Sequence, residues 1–129
     1  MTSGGQAWDP SVSPDGRWVA CFYAPGDSKR PYVALVPFDG GPPAMKFEAP
    51  PIAVGSLRWR PDGQAVAYAG RRGVVDNLWG QPVAGGEAVQ LTDYEAGVIR
   101  DFDWSHDGTQ LAVVRAAEFT DLVMLRPGG

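Results

Sequence analysis

A four-residue segment recurs three times in this chain, as Ser13-Pro14-Asp15-Gly16, Arg60-Pro61-Asp62-Gly63 and Ser105-His106-Asp107-Gly108. The second residues of the three copies lie 47 and 45 residues apart. Proline at this position presets φ, aspartate accepts local backbone hydrogen bonds, and glycine takes the left-handed conformation. Each segment is therefore predicted to be the turn of a β-hairpin, and a repeat of this length fits one four-stranded propeller blade.

The residues around each turn alternate between large apolar and polar side chains, which is the period-two signature of strands. Strand a, before the turn, is predicted at 8–12, 55–59 and 100–104, and strand b, after it, at 18–22, 65–68 and 110–113. Strand c is predicted at 32–36, 77–81 and 121–125, and an outer strand d around 44–48 and 88–92. Strand b carries an alanine at the same place in all three copies, which favours close packing with the next blade.

The third copy runs to Gly128-Gly129, in register with the Gly-Gly turns that precede strand d in the first two copies. Eleven strands are therefore expected, and no segment shows helical periodicity. The predicted fold class is all-β, with β-propeller blades of four antiparallel strands and about three blades per chain. The predicted units are an N-terminal extension at 1–7 and blades at 8–53, 54–97 and 98–129, the last without its outer strand.

A closed propeller has roughly four to eight blades. Three blades leave two apolar faces and an unpaired strand edge, both of which favour association. We therefore expect the ring to be completed by self-association, as a homodimer of about six blades. The aromatic residues assigned to that interface are Trp8, Trp59, Phe102 and Trp104.

The charge and composition exclude several classes of partner. The formal net charge is −4 and the 11 basic residues are spread thinly, so nucleic-acid binding is not expected. No apolar run approaches the roughly 18 residues that cross a bilayer, so the chain is expected to be soluble with no membrane partner, in a compartment that the sequence does not specify. The only cysteine, Cys21, excludes an internal disulfide and is expected to be a small buried residue of strand b.

No catalytic residue and no cofactor are assigned, and the chain is expected not to be an enzyme. The sequence has no G-x-S-x-G segment and no phosphate-binding or dinucleotide signature, and its single histidine, His106, stands at a turn position. No metal site is assigned either. The candidates considered for a cation site are Asp9, Asp101 and Asp103 on strand a, near the propeller axis; alternatively, these carboxylates accept hydrogen bonds from backbone donors between blades.

Two connections between strands b and c, 24–31 and 71–76, depart from the repeat and lie on one rim of the predicted ring. Their mixed charges favour either contact with a peptide or protein partner or a solvated hairpin tip, and the second interpretation is the simpler one.

The segments 57–63, 85–92 and 103–108 resemble TolB-like, WD-repeat-like bacterial propellers, whose blades carry a Trp-Ser-Pro-Asp-Gly turn, and the resemblance covers 8–127. The stretch 99–125 looks like the last blade of propellers that are elsewhere fused to DNA-binding regulatory domains or protein kinases. One propeller scaffold hosts many unrelated activities. The preferred interpretation is a non-enzymatic propeller segment that self-assembles and serves as a protein or peptide interaction scaffold. The alternatives are a ligand- or cation-binding sensor propeller and an accessory propeller of a larger regulator or peptidase.

Overall fold

The structure is a computed structural model that describes residues 6–24, 26, 31–49, 51–116 and 120–125. These residues form eleven β-strands and no helix, and hence no helix long and apolar enough to cross a membrane. The strands are β1 Gln6–Val12, β2 Trp18–Ala24, β3 Tyr32–Pro37, β4 Met45–Glu48, β5 Ile52–Trp59, β6 Ala65–Arg72, β7 Val75–Pro82, β8 Val89–Gln90, β9 Val98–Trp104, β10 Leu111–Ala116 and β11 Thr120–Leu125.

The strands form three antiparallel sheets, each built from consecutive strands. The first has the order β1-β2-β3-β4, the second β5-β6-β7-β8 and the third β9-β10-β11. β1 contacts β5, and β5 contacts β9, so the first strands of neighbouring sheets lie side by side. The all-β class and the antiparallel four-stranded sheets predicted from the repeat are confirmed.

The first strand of each sheet begins earlier than the repeat pattern predicts. β1 begins at Gln6, β9 begins at Val98, and β5 begins at Ile52, before the blade boundary expected at 54. The hairpin of the second sheet extends this far because Ile52 pairs with Gly70, and the N–H of Arg71 donates to the carbonyl of Pro51 at 2.6 Å.

The first strands are also interrupted by β-bulges, which the period-two pattern did not reveal. The register shifts between Trp8 and Ser11 in β1, and between Ile52 and Leu57 in β5. Within the first of these bulges Asp9 has a φ of 57°. The first shift adds one residue to β1 and the second adds three residues to β5, so the alternation of side chains is correct on either side of each shift and breaks across it.

The core lies in two layers, one between each pair of neighbouring sheets. In the first layer Ala20 and Phe22 of β2 meet Val66 and Tyr68 of β6, all at most 1% exposed. Because side chains alternate along a strand, the other face of β6 serves the second layer, where Ala67 packs with residues of β7, β9 and β10. Ala20 and Ala67 are equivalent in the repeat, so the predicted role of a small residue between blades is confirmed at both positions.

Candidate functional site

The three repeated turns share one backbone geometry. In each turn the glycine N–H donates to the carbonyl three residues earlier, at 2.8–2.9 Å. The glycines Gly16, Gly63 and Gly108 have φ values of 75°, 73° and 75°. This confirms the left-handed glycine that turn chemistry predicted, in a type I turn closed by a residue of positive φ.

The turn aspartates accept the hydrogen bonds that complete this geometry. Asp15 Oδ1 accepts from the Ser13 hydroxyl at 2.6 Å and from the N–H two residues later at 3.0 Å. Asp107 Oδ1 accepts from the hydroxyls of Thr109 and Ser105 at 2.7 and 2.8 Å. Because these bonds stabilise the charged carboxylate, the pKa of Asp15 is lowered and that of Asp107 falls to about 2. Both carboxylates are therefore ionised at neutral pH.

A tryptophan next to the turn connects the second sheet to the first, and another connects the third sheet to the second. Trp59 Nε1 donates to the carbonyl of Ser11 at 2.7 Å, and Trp104 Nε1 donates to the carbonyl of Arg58 at 3.2 Å. Ser11 and Arg58 are equivalent in the repeat, so the same contact occurs at both junctions between sheets. Val12 holds the tryptophan position in the first sheet and is 50% exposed.

Four residues were assigned to an interface between two chains, but three of them pack between sheets of a single chain. Phe102 is 4% exposed, and Trp59 and Trp104 are half-buried against the two core layers. They are covered because the preceding sheet, which this chain supplies, packs on their side of the strand. Trp8 is 37% exposed and contacts the ring of Phe22, with the centroids 6.0 Å apart. Of the four, only Trp8 remains a candidate for a contact with another chain.

The polar residues of β5 and β9 meet at the inner side of the sheets. Arg58 Nε donates to the carbonyl of Phe102 at 3.3 Å, and its Nη2 pairs with Asp101 Oδ1 at 3.4 Å. Asp101 and Asp103 each also accept the N–H that follows them in the chain, at 2.8 and 2.9 Å. Among the described residues, no three His, Cys, Asp or Glu side chains lie close enough together to hold a metal ion. Asp9, Asp101 and Asp103 are thus not brought together as a ligand set.

The predicted connection at 71–76 is mostly strand, because β6 runs to Arg72 and β7 begins at Val75, and the sequence reasoning missed an ion pair there between Arg71 and the buried Asp76. Asp76 is fully buried, so the solvated-tip interpretation is wrong for it. Arg71 Nε and Nη2 donate to its two carboxylate oxygens at 2.7 and 3.3 Å, and the N–H of Ile99 donates to Oδ2 at 2.9 Å. The bond from Asp76 raises the pKa of Arg71. Asp76 thereby joins the second sheet to β9. The sequence feature that could have predicted the ion pair is the opposite charges on the two sides of a glycine turn.

The structure also describes the positions of the single cysteine and the single histidine. Cys21 is buried within β2, as expected, and its burial raises the pKa of the thiol. His106 is exposed at the turn between β9 and β10. Most of the 24–31 connection, Gly128-Gly129 and residues 1–5 of the predicted extension lie outside the described residues.

A cavity of about 380 Å³ lies between the first two repeated turns. We call it the inter-turn cavity. Asp15 and Asp62 contribute to its lining from the two turns. The apolar side chains that line it come from both sheets: Trp18, Leu35, Met45, Trp59 and Val83. The cavity therefore combines indole rings with carboxylates at the surface of the first junction, which is the contact between the first and second sheets.

No family model and no curated protein matches the sequence significantly. The structure is similar to a TolB-like protein from Agrobacterium tumefaciens, with 24% identity, 92% of this chain and 42% of that chain covered, and a TM-score of 0.74. It is also similar to the β-propeller domain of the Trilobed protease from Pyrococcus furiosus, with 17% identity, 97% and 40% coverage and a TM-score of 0.71. Prolyl oligopeptidase B from Galerina marginata is similar as well, with 12% identity, 98% of this chain and 20% of that chain covered, and a TM-score of 0.74.

The three sheets, their repeated turns and these similarities define a β-propeller protein. Within that class the chain has the TolB-like propeller fold. At identities below 25% the likeness establishes the fold, and the chain spans less than half the length of each of these similar proteins.

Proposed function

We propose that this chain is a non-enzymatic propeller segment that completes its ring with a second copy of itself and serves as a protein or peptide interaction scaffold. One observation carries the proposal. Both outer sheets have apolar residues on both faces, as the middle sheet does, yet each outer sheet packs against only one other sheet in the described part of the chain.

The outer face of the first sheet carries a third apolar cluster. Cys21, Tyr23 and Ala34 form a cluster there, with Val36 packed against it. A cavity of about 520 Å³ beside this cluster is lined by Ala7, Cys21, Tyr23, Val36, Gly41, Pro42 and Pro43. The three cluster residues are at most 9% exposed, so a second copy would pack against the side chains that line this cavity.

The outer face of the third sheet is made by alternate residues of β10. Leu111 and Val113 are buried against the second sheet. Ala112, Val114 and Ala116 alternate with them and are half-buried on the opposite face. Since the two open faces differ, a second copy would meet this chain head to tail, and two such contacts would close a two-fold ring of about six blades.

Sedimentation equilibrium at micromolar concentration tests this assembly. The expected mass is twice the 13.8 kDa of one chain. Val114→Glu places a charge on the open face of the third sheet and is expected to give a folded monomer. Val89→Glu makes the same change on the outer strand β8, at a valine that is 53% exposed, and should leave the mass unchanged. A wild-type monomer that unfolds cooperatively would refute the assembly.

The tryptophan contact between sheets offers a gain-of-affinity test. The Asp103 carbonyl in β9 is equivalent to the acceptors that Trp59 and Trp104 use at the two junctions. In a head-to-tail dimer this carbonyl would face the partner's first sheet, where Val12 has no donor. Val12→Trp would add the missing hydrogen bond at each of the two contacts, which is expected to stabilise the dimer by about 2 kcal/mol and tighten it roughly thirtyfold. No gain, or a weaker dimer, would contradict head-to-tail pairing.

A second function is favoured by the similar proteins. Several of them are peptidases, and this chain covers only 18–21% of four of those chains. It would then be an accessory propeller, with further blades supplied by the same polypeptide. A poorly folded monomer that becomes stable only when expressed with its flanking encoded sequence would support this second function over self-assembly.

A further inference from the structure

At the junction between the second and third sheets, which we call the second junction, a guanidinium of the chain itself lies against an indole ring. Arg60 stands at the first position of the second turn, and its guanidinium carbon lies 5.6 Å from the ring centroid of Trp104. Its Nε also pairs with Asp62 Oδ2 at 3.3 Å. The guanidinium thus lies between the indole of the following sheet and the aspartate of its own turn.

The first junction has the same indole and the same aspartate but a different residue at the cation position. By the repeat, Ser13, Asp15 and Trp59 are equivalent to Arg60, Asp62 and Trp104. Ser13 is 6% exposed and has no cationic group. The inter-turn cavity of about 380 Å³ lies at this junction and is lined by all three of these residues.

The chemistry of the cavity favours a guanidinium. Asp15 is ionised at neutral pH, because the hydrogen bonds that its Oδ1 accepts from Ser13 and Arg17 lower its pKa, and the nearby charge of Arg17 lowers that pKa further. Trp18 adds a second indole to the lining. A guanidinium stacks on aromatic faces and pairs with carboxylates through a planar set of donors, whereas an ammonium is a compact and more strongly hydrated charge.

We propose that the inter-turn cavity binds an arginine side chain of a partner peptide, in the place that Arg60 occupies at the second junction. This assigns a ligand chemistry to the scaffold role and rests on that role, but it does not depend on ring closure. One side chain gains a cation–π contact and an exposed ion pair, so binding of a single arginine is expected in the millimolar range.

The test follows the five indole N–H signals of the ¹⁵N-labelled chain by NMR, assigned by single Trp→Phe substitutions. Acetyl-Gly-Arg-Gly-amide is expected to shift the signals of Trp59 and Trp18 in a saturable manner. Acetyl-Gly-Lys-Gly-amide is expected to bind several-fold more weakly, and free arginine no more tightly than the arginine peptide. Equal binding of the lysine peptide would overturn the proposal.

Two matched variants test the location. Ser13→Arg supplies the guanidinium within the chain and is expected to abolish the response. Ser105→Arg loses the same two hydrogen bonds, since each serine hydroxyl donates to its turn aspartate and accepts a backbone N–H at 3.0 Å, and it is expected to keep the response. Arg60 shows that this turn accommodates arginine, so a folded Ser13→Arg chain is expected.

The outcomes separate this site from the wider scaffold role. An unchanged response in Ser13→Arg, or no response of the Trp59 signal in the wild type, would overturn the site. If the peptide instead shifts Trp8 or Trp79, the scaffold role stands and the inter-turn cavity is excluded. No response of any indole to either peptide removes the site and leaves the scaffold role without this ligand.

Discussion

Replacing Arg71 with methionine tests whether a buried carboxylate couples the second and third sheets. Asp76 is fully buried and is held by Arg71 at 2.7 and 3.3 Å and by the N–H of Ile99 at 2.9 Å. Arg71→Met keeps the length of the side chain but leaves the carboxylate without its cation. Asp76→Asn removes the charge while keeping an oxygen that accepts from Ile99.

The expected magnitudes follow from the burial of the two partners. Loss of one partner of a fully buried pair costs about 3–5 kcal/mol. The Arg71 side chain is 39% exposed, so water reaches this site and Arg71→Met is expected to cost about 2–3 kcal/mol. Asp76→Asn leaves a cation that can turn toward water, with an expected cost of about 1 kcal/mol. The double variant has no buried charge and is expected to cost only about 1 kcal/mol.

Asp76→Asn is therefore expected to destabilise the wild type and to stabilise the Arg71→Met chain, with an interaction free energy of about 2 kcal/mol. Urea unfolding followed by circular dichroism and tryptophan fluorescence measures all four chains at one protein concentration. Unchanged m-values would show that the midpoints report stability. If Asp76→Asn lowers the midpoint equally in both backgrounds, the two side chains are not coupled and the reasoning is refuted.

Three further outcomes are expected. Trp104→Phe removes the indole donor to the second sheet and should lower the free energy of unfolding by about 1 kcal/mol in urea, whereas an unchanged midpoint would contradict this role. Gly108→Ala should lower Tm more than Gly16→Ala, because both glycines have a φ of 75° but only at 108 would the new Cβ lie 3.3 Å from Pro61 Cδ; equal losses would argue against that contact. The Asp107 carboxyl should titrate at about pH 2 by NMR rather than near 3.8. The carboxylate then stabilises the fold fully above its unfolded pKa, and this stabilisation is lost as the pH falls to about 2. Asp107→Ala should therefore lower Tm at neutral pH and have no such effect below about pH 2. A titration midpoint near 3.8 would contradict the turn hydrogen bonds.

The repeated turns were predictable because their chemistry is local. Asp15 accepts hydrogen bonds from residues two positions away, and the glycine that closes the turn needs only a positive φ. The alternation on either side of the turns predicted the strands for the same reason. The bulges at Asp9 and after Ile52 were not predictable from this alternation, since added residues leave the pattern intact on each side.

The candidate site was predictable only in part. The tryptophans were recognised as packing residues, but Trp59 and Trp104 were assigned to a contact between chains, whereas each donates to the preceding sheet of its own chain. The role of Asp76 was missed because its carboxylate accepts a hydrogen bond from the N–H of Ile99, which lies 23 residues further along the chain.

The sequence by itself determined three hairpin turns, the strand pattern around them and the all-β class, because these follow from residues within a few positions of one another. Only the tertiary structure decided which indole meets which carbonyl, since Ser11 and Trp59 are 48 residues apart. It also decided that Arg60 covers Trp104 and that the inter-turn cavity lies beside Trp59, because both depend on how neighbouring sheets pack.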